Sequence, residues 1–178
     1  MSHERKDGKI NLKDEARTPP ELFRKLDEKY HFELDAACSP DNCIVKTGYG
    51  YARGDNALAA DWSNYTMDNG EYASIFYCNP PYSNPAPFIE KAHLESHKGA
   101  KVVMLLPADT STVSFHEHVM KANEIIFLKG RVIFNNPDGT SVVGSPKFGS
   151  MIVVFERMQY QPKRVTVLSW DWKNEELP

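Results

Sequence analysis

The run Lys101-Val102-Val103-Met104-Leu105-Leu106-Pro107 is apolar at almost every position and has the length of a strand. That pattern predicts a strand buried on both faces, in the middle of a parallel sheet. Shorter apolar stretches predict further strands over Ile75–Cys78, Glu124–Leu128, Ser150–Phe155 and Arg164–Trp170, and a first strand over His31–Asp35 that ends on an aspartate. Helical spacing lies between them. Leu22, Phe23 and Leu26 form one apolar face after Thr18-Pro19-Pro20, with Thr18 expected as the N-cap. Phe88, Ile89 and Ala92 mark a second helix from about Pro87 to His97, and a third is expected over Val113–Ala122. Residues 47–70 are rich in Gly, Asn, Asp and Tyr and read mainly as loop. Gly130, Asn135-Asn136-Pro137-Asp138-Gly139 and Pro146 make residues 130–148 a hairpin or long excursion. The alternation predicts an α/β fold, its mostly parallel sheet covered on both faces.

Composition narrows the class. A chain of 178 residues with 41% hydrophobic content suits one well-packed domain. We expect a mobile, charged segment over residues 1–16, a single domain over 17–172 and a short tail over 173–178. No apolar stretch approaches the roughly 20 residues of a membrane span, and the polar N-terminus lacks a secretory core, so a soluble intracellular protein is expected. Cys38, Cys43 and Cys78 are odd in number and form no C-x-x-C pair, which suggests neither a disulfide framework nor a zinc site. His93 and His97 have helical spacing but no evident third ligand, and His116 and His118 would point to different sides of a helix. No metal is expected. The net charge of −3 and pI near 6.1 give no global case for nucleic acid, so any DNA contact must rest on a local patch.

The chemistry concentrates at Asn79-Pro80-Pro81-Tyr82, directly after the apolar run Ile75-Phe76-Tyr77-Cys78. Two prolines fix φ and remove two backbone donors, so the loop is stiff and presents acceptors. The exocyclic amine of adenine is planar and a poor nucleophile, because its lone pair is spread into the ring. The Asn79 amide oxygen and the Pro80 carbonyl suit its two N–H bonds and would favour a pyramidal nitrogen. Tyr82 offers a flat face for an extruded base.

Taken together, Thr18-Pro19, Leu34-Asp35-Ala36-Ala37, Asp61-Trp62, Cys78-Asn79-Pro80-Pro81-Tyr82, Leu105-Leu106-Pro107 and Gly130-Arg131-x-x-Phe134 resemble the compact phage-type DNA adenine methyltransferase family. The likeness runs over residues 17 to 156. It implies a Rossmann-like methyltransferase fold with antiparallel strands late in the chain, S-adenosylmethionine as cofactor, double-stranded DNA as partner and a phage-infected or prophage-carrying cell as setting. By the same resemblance Thr18 and Pro19 lie beside the methionine end of the cofactor, and Asp35, Ala36 and Ala37 meet it at the first strand. Asp61 and Trp62 would hold its adenosine, and Asn79, Pro80, Pro81 and Tyr82 would carry the transfer. Alanines stand where many methyltransferases have glycines after the first strand, so that loop must differ from the G-x-G form.

For DNA contact the candidates are Tyr82, Arg131 and Lys147. Lys129 adds charge nearby, and Asn135 and Asn136 offer amides able to read a base edge. Two other functions fit the same loop. A glutamine side-chain amide also presents two N–H bonds and a delocalised lone pair, which suits a protein-glutamine N5 methyltransferase. A catalytically silent nucleic-acid-binding module would keep the fold alone.

Overall fold

The computed structural model describes residues 16–38, 43–45, 57–67, 69–136, 139–140, 147–157 and 164–178. Met1–Glu15, the Gly48-Tyr49-Gly50 turn, Pro137-Asp138 and Pro146 lie outside the described residues.

Helix α1 (Pro20–Tyr30) leads into strand β1 (Leu34–Asp35), and β2 (Ile75–Cys78) follows after a short 3₁₀ turn at Trp62–Asn64. Then come α2 (Ala86–Lys98), β3 (Lys101–Pro107), α3 (Val113–Glu117), β4 (Glu124–Leu128), β5 (Ser150–Phe155) and β6 (Thr166–Trp170). They build one sheet of six strands in the order β1-β2-β3-β5-β4-β6. The ladders β1–β2, β2–β3 and β4–β6 are parallel; β5 runs antiparallel to both of its neighbours. Of the two late strands, β5 is therefore the reversed one.

Period-two alternation explains why the middle strands are apolar at every position. Val102, Met104 and Leu106 of β3, with Met151, Val153 and Phe155 of β5, join Phe88, Ile89, Ala92 and Phe115 in a core on one face. Val103, Leu105, Ile152 and Val154 turn to the other face and pack with Leu22, Phe23 and Leu26 of α1. Helices thus cover both sides. Among the described residues no helix is long and apolar enough to cross a membrane.

Tertiary contacts move several boundaries. The residue at the N-cap of α1 is Pro19 rather than Thr18. The Thr18 hydroxyl is buried and committed instead to the Tyr77 hydroxyl, 2.5 Å away. Strand β1 is shorter than expected because His31 adopts a left-handed conformation (φ 56°) that ends α1, and the Phe32 amide donates to the Asp27 carboxylate. The helix expected over 113–122 breaks at His118 into α3 and a 3₁₀ turn at Val119–Lys121. Residues 173–178 fold back on α1 rather than trail away: Lys25 donates to the carbonyls of Trp172 (3.0 Å) and Glu175 (2.8 Å), and Lys29 to that of Pro178.

The Thr18–Tyr77 pair ties the segment before α1 to the centre of β2. Tyr77→Phe would leave the buried Thr18 hydroxyl without its partner, and a loss of about 1–3 kcal/mol in urea unfolding is expected. An unchanged midpoint would mean that the hydroxyl finds water instead.

Candidate active site

Open α/β sheets bind ligands beyond the carboxyl ends of their strands. Here Asp35 ends β1, Asn79 follows β2 and Pro107 ends β3. Asp35 pairs in register with Tyr77, and the Ala36 amide donates to the Tyr77 carbonyl at 2.8 Å. These bonds set Asp35 beside the start of the Asn79-Pro80-Pro81-Tyr82 loop. The loop closes in a turn, with the Asn84 amide on the Pro81 carbonyl at 3.1 Å, and Pro85 then caps α2.

A small polar cleft opens on one side of the loop, lined by Arg17, Thr18, Asp35, Ala37, Tyr77 and Asn79. Its volume of about 20 Å³ is room for a single water-sized group. The Asn79 side chain donates from Nδ2 to the Ala16 carbonyl at 3.3 Å, which turns Oδ1 the other way. That oxygen is buried and accepts no hydrogen bond among the described residues. Arg17 Nε is likewise buried without an acceptor. Native interiors leave few polar atoms in this condition. Asp35 is almost fully buried, and burial pushes its carboxyl up to about 7, although the Ala37 and Ile44 amides donate to it and oppose the rise. The residues around the cleft therefore offer a carboxylate, an unpaired acceptor and an unpaired donor on a guanidinium.

An apolar cavity of about 250 Å³ opens at the far end of the loop, beside Tyr82. Tyr82, Pro107, Phe115, Phe148 and Met151 line it, with Asp109 and Ser114 among its polar groups. Tyr82 packs edge-on against Phe134 at 5.2 Å between ring centres, and its hydroxyl is buried beside Ser150. Phe148 is 55% exposed, unusual for a large aromatic residue that lines a cavity. Arg131 is exposed and brings Nη1 close to Gly149, next to Phe148. Lys147 is exposed beside it. The tetrapeptide thus touches both openings, Asn79 lining the polar cleft and Tyr82 the apolar cavity.

Not every candidate converges here. Thr18, Asp35, Ala37, Asn79 and Tyr82 do, while Pro19 caps α1 and Ala36 is buried in the core. Asp61 and Trp62 lie elsewhere. Asp61 is paired with Lys98 at 3.0 Å, on the last turn of α2 and so toward the edge of the sheet where β3 begins. Trp62 is fully buried, packs on Phe76 and donates to the Ala57 carbonyl at 2.8 Å. The structure does not bring this pair to the cleft, because the indole is core and the carboxylate answers a lysine. Lys129 is held by Asp171 at 2.8 Å, and the Asn136 amide is spent on Thr140 at 3.0 Å. Arg17 and Phe148 were not among the expected residues; neither sits in a motif, and only the fold carries them to the two openings.

The chain is similar to known proteins in sequence and in fold. The family model described as DNA N-6-adenine-methyltransferase (Dam) matches residues 6–176. The DNA N-6-adenine-methyltransferase of Escherichia phage T1 is 30% identical over 165 residues, which are 83% of this chain and 65% of that protein. The chain therefore spans just under two thirds of the T1 protein's length. The enzyme of the same name from Haemophilus phage HP1 (strain HP1c1) is 34% identical over 148 residues, covering 81% of this chain and 79% of the relative. In fold, the chain matches a Listeria monocytogenes protein assigned to the class I S-adenosylmethionine-dependent methyltransferases. The TM-score is 0.50 at 13% identity, over 92% of this chain and 68% of the other.

Proposed function

We propose, because this chain belongs to the DNA N-6-adenine-methyltransferase (Dam) family, that it transfers a methyl group from S-adenosylmethionine to the exocyclic amine of an adenine in double-stranded DNA. The observation that carries this reading is the buried, unpartnered Oδ1 of Asn79 on a loop stiffened by two prolines. An acceptor held out of water without a donor is built to receive one.

The polar groups around the cleft match the methionine end of the cofactor in charge and hydrogen bonding. An amino acid head group is a zwitterion: the Asp35 carboxylate suits its ammonium, Arg17 Nε suits its carboxylate, and Ala37 leaves room for backbone approach. When bound, S-adenosylmethionine supplies a methyl carbon already activated by the positive charge on sulfur. The protein's part is placement. The adenine leaves the duplex and enters the apolar cavity between Tyr82 and Phe148, and Asn79 Oδ1 and the Pro80 carbonyl accept its two N–H bonds. Those bonds turn the nitrogen lone pair toward the polar cleft, where direct in-line attack follows. Asn79 is a neutral amide too weakly basic to take a proton, so the amine proton departs to solvent. Arg131 and Lys147 contact phosphates at the cavity's rim.

Two experiments test this. Labelled methyl from S-adenosylmethionine should appear in unmethylated duplex DNA, and nucleoside analysis should find it as N6-methyladenine; label confined to protein glutamine would overturn the substrate assignment. Tyr82→Ala and Phe148→Ala should each weaken binding of DNA carrying an unpaired adenine by roughly 1–3 kcal/mol. Unaltered affinity in both would remove the base from this cavity.

A further inference from the structure

Cys38 and Cys43 stand together beside Asp35. Both are partly exposed, and their Sγ atoms are 2.7 Å apart. The two sulfurs and a carboxylate oxygen of Asp35 all lie within 4.8 Å of one another. Such a group could close as a disulfide or hold a soft cation, and the distance decides between them. A disulfide bond is about 2.05 Å long. Two thiolates on one tetrahedral zinc, each about 2.3 Å from the metal, sit roughly 3.8 Å apart. The observed separation is nearer the covalent value.

We propose that Cys38 and Cys43 are an oxidation site: a reversible dithiol–disulfide pair beside the polar cleft, which Cys38 lines, closed by a small-molecule disulfide of the glutathione type. We further infer, resting on the function proposed above, that the reduced pair is the form that binds the cationic cofactor. The hydrogen bond from Cys38 holds Cys43 below the ordinary thiol range and Cys38 above it, so Cys43 is the nucleophile. Its thiolate attacks one sulfur of oxidised glutathione and expels one glutathione thiolate. Cys38 then attacks the Cys43 sulfur of the mixed disulfide, expels the second glutathione and passes its proton to a departing thiolate. In net, two protein thiols and one disulfide give one protein disulfide and two thiols, a two-electron exchange. Reduced, the pair offers an ionisable thiol beside Asp35, where the cofactor's ammonium would lie, and oxidised it can carry no charge.

The test equilibrates the full chain in glutathione buffers of graded ratio, quenches in acid, alkylates free thiols and reads mass. The expected product lacks two hydrogens, with Cys38 and Cys43 protected and the buried Cys78 still free. In Cys38→Ser a lasting glutathione adduct on Cys43 should replace it. A wild-type chain that keeps the adduct, or that links to a second chain, overturns the pair. Oxidation that begins only after a chelator is added also overturns it, in favour of a metal held by Asp35, Cys38 and Cys43. Calorimetric titration with S-adenosylmethionine should then give an affinity about tenfold lower for the oxidised protein, recovered with dithiothreitol. By linkage, saturating cofactor would raise the pair's reduction potential by about 30 mV. Equal affinities overturn the cofactor half of the inference. A reduced protein that binds no cofactor overturns the function proposed above and that half with it, while the mass series still decides the pair.

Discussion

Replacing Asn79 by alanine should lower the single-turnover rate of methyl transfer by roughly a hundredfold while leaving the fold at least as stable. The two effects have one origin. In the free protein Oδ1 is a buried acceptor with no donor, a condition that costs about 1–3 kcal/mol. Alanine removes that cost along with one hydrogen bond to the Ala16 carbonyl, worth about 1 kcal/mol. Unfolding midpoints in urea should therefore hold or rise. The rate falls because the adenine amine loses one of the acceptors that shape and aim it, and the remaining Pro80 carbonyl cannot fix both N–H bonds. Rapid-quench turnover on saturating DNA, read beside the unfolding curve, separates the effects. A variant that transfers methyl at the wild-type rate removes Asn79 from the mechanism.

The second large effect belongs to Asp35→Asn. In the unfolded chain this carboxyl titrates near 3.8, and in the folded protein burial pushes it up to about 7. Between those values the native state holds a proton that the unfolded chain has released, so stability falls as pH rises through the window. Above about pH 7 the folded protein carries the full cost of a buried charge, on the order of 4 kcal/mol. Asparagine keeps an oxygen for the Ala37 amide and carries no charge. The variant should be more stable than wild type at pH 8, and the two should converge near pH 4. Cofactor affinity should move the other way, down by about ten- to a hundredfold, since a charge-assisted hydrogen bond is worth about 1.5–3 kcal/mol. In the wild type, affinity should climb as pH passes 7, with release of a proton that calorimetry in buffers of different ionisation heat would detect. A variant that binds S-adenosylmethionine as tightly as wild type would place the ammonium elsewhere.

What the sequence revealed and what it hid follow a physical division. Strands β3, β4 and β5 have the bounds expected of them, because a strand buried on both faces is written as an unbroken apolar run. The Asn79-Pro80-Pro81-Tyr82 loop was equally readable, since two prolines after a strand constrain the backbone whatever surrounds them. Features settled by distant partners were not. Thr18 reads as a cap until Tyr77, 59 residues away, claims its hydroxyl. Asp61-Trp62 reads as a ligand motif, yet Lys98 takes the carboxylate and Phe76 the indole. Nothing in its own neighbourhood marks Arg17, Phe148 or the closeness of Cys38 to Cys43. Nor did local pattern fix strand direction: β6 lies parallel to β4, an outcome decided by the path of the intervening chain.

The place of β5 also bears on the order in which the protein takes shape on the ribosome. Strand β4 has β5 and β6 as its two neighbours in the sheet, and both are made after it. Its apolar Ile125-Ile126-Phe127-Leu128 must therefore wait, unpaired, until Ser150–Phe155 emerges and lies down against β3. Strands β1, β2 and β3, which carry Asp35 and lead into Asn79, can pair from residues already made, but Arg17 waits for Asn135, whose backbone holds it at 2.7 and 2.9 Å. Arg131 and Phe148, which lie between β4 and β5 in the chain, gain their positions only when β5 is in place. Asp35 and Asn79 would then be placed early in synthesis and Arg17, Arg131 and Phe148 late, with β4 as the segment in greatest need of protection from self-association in between.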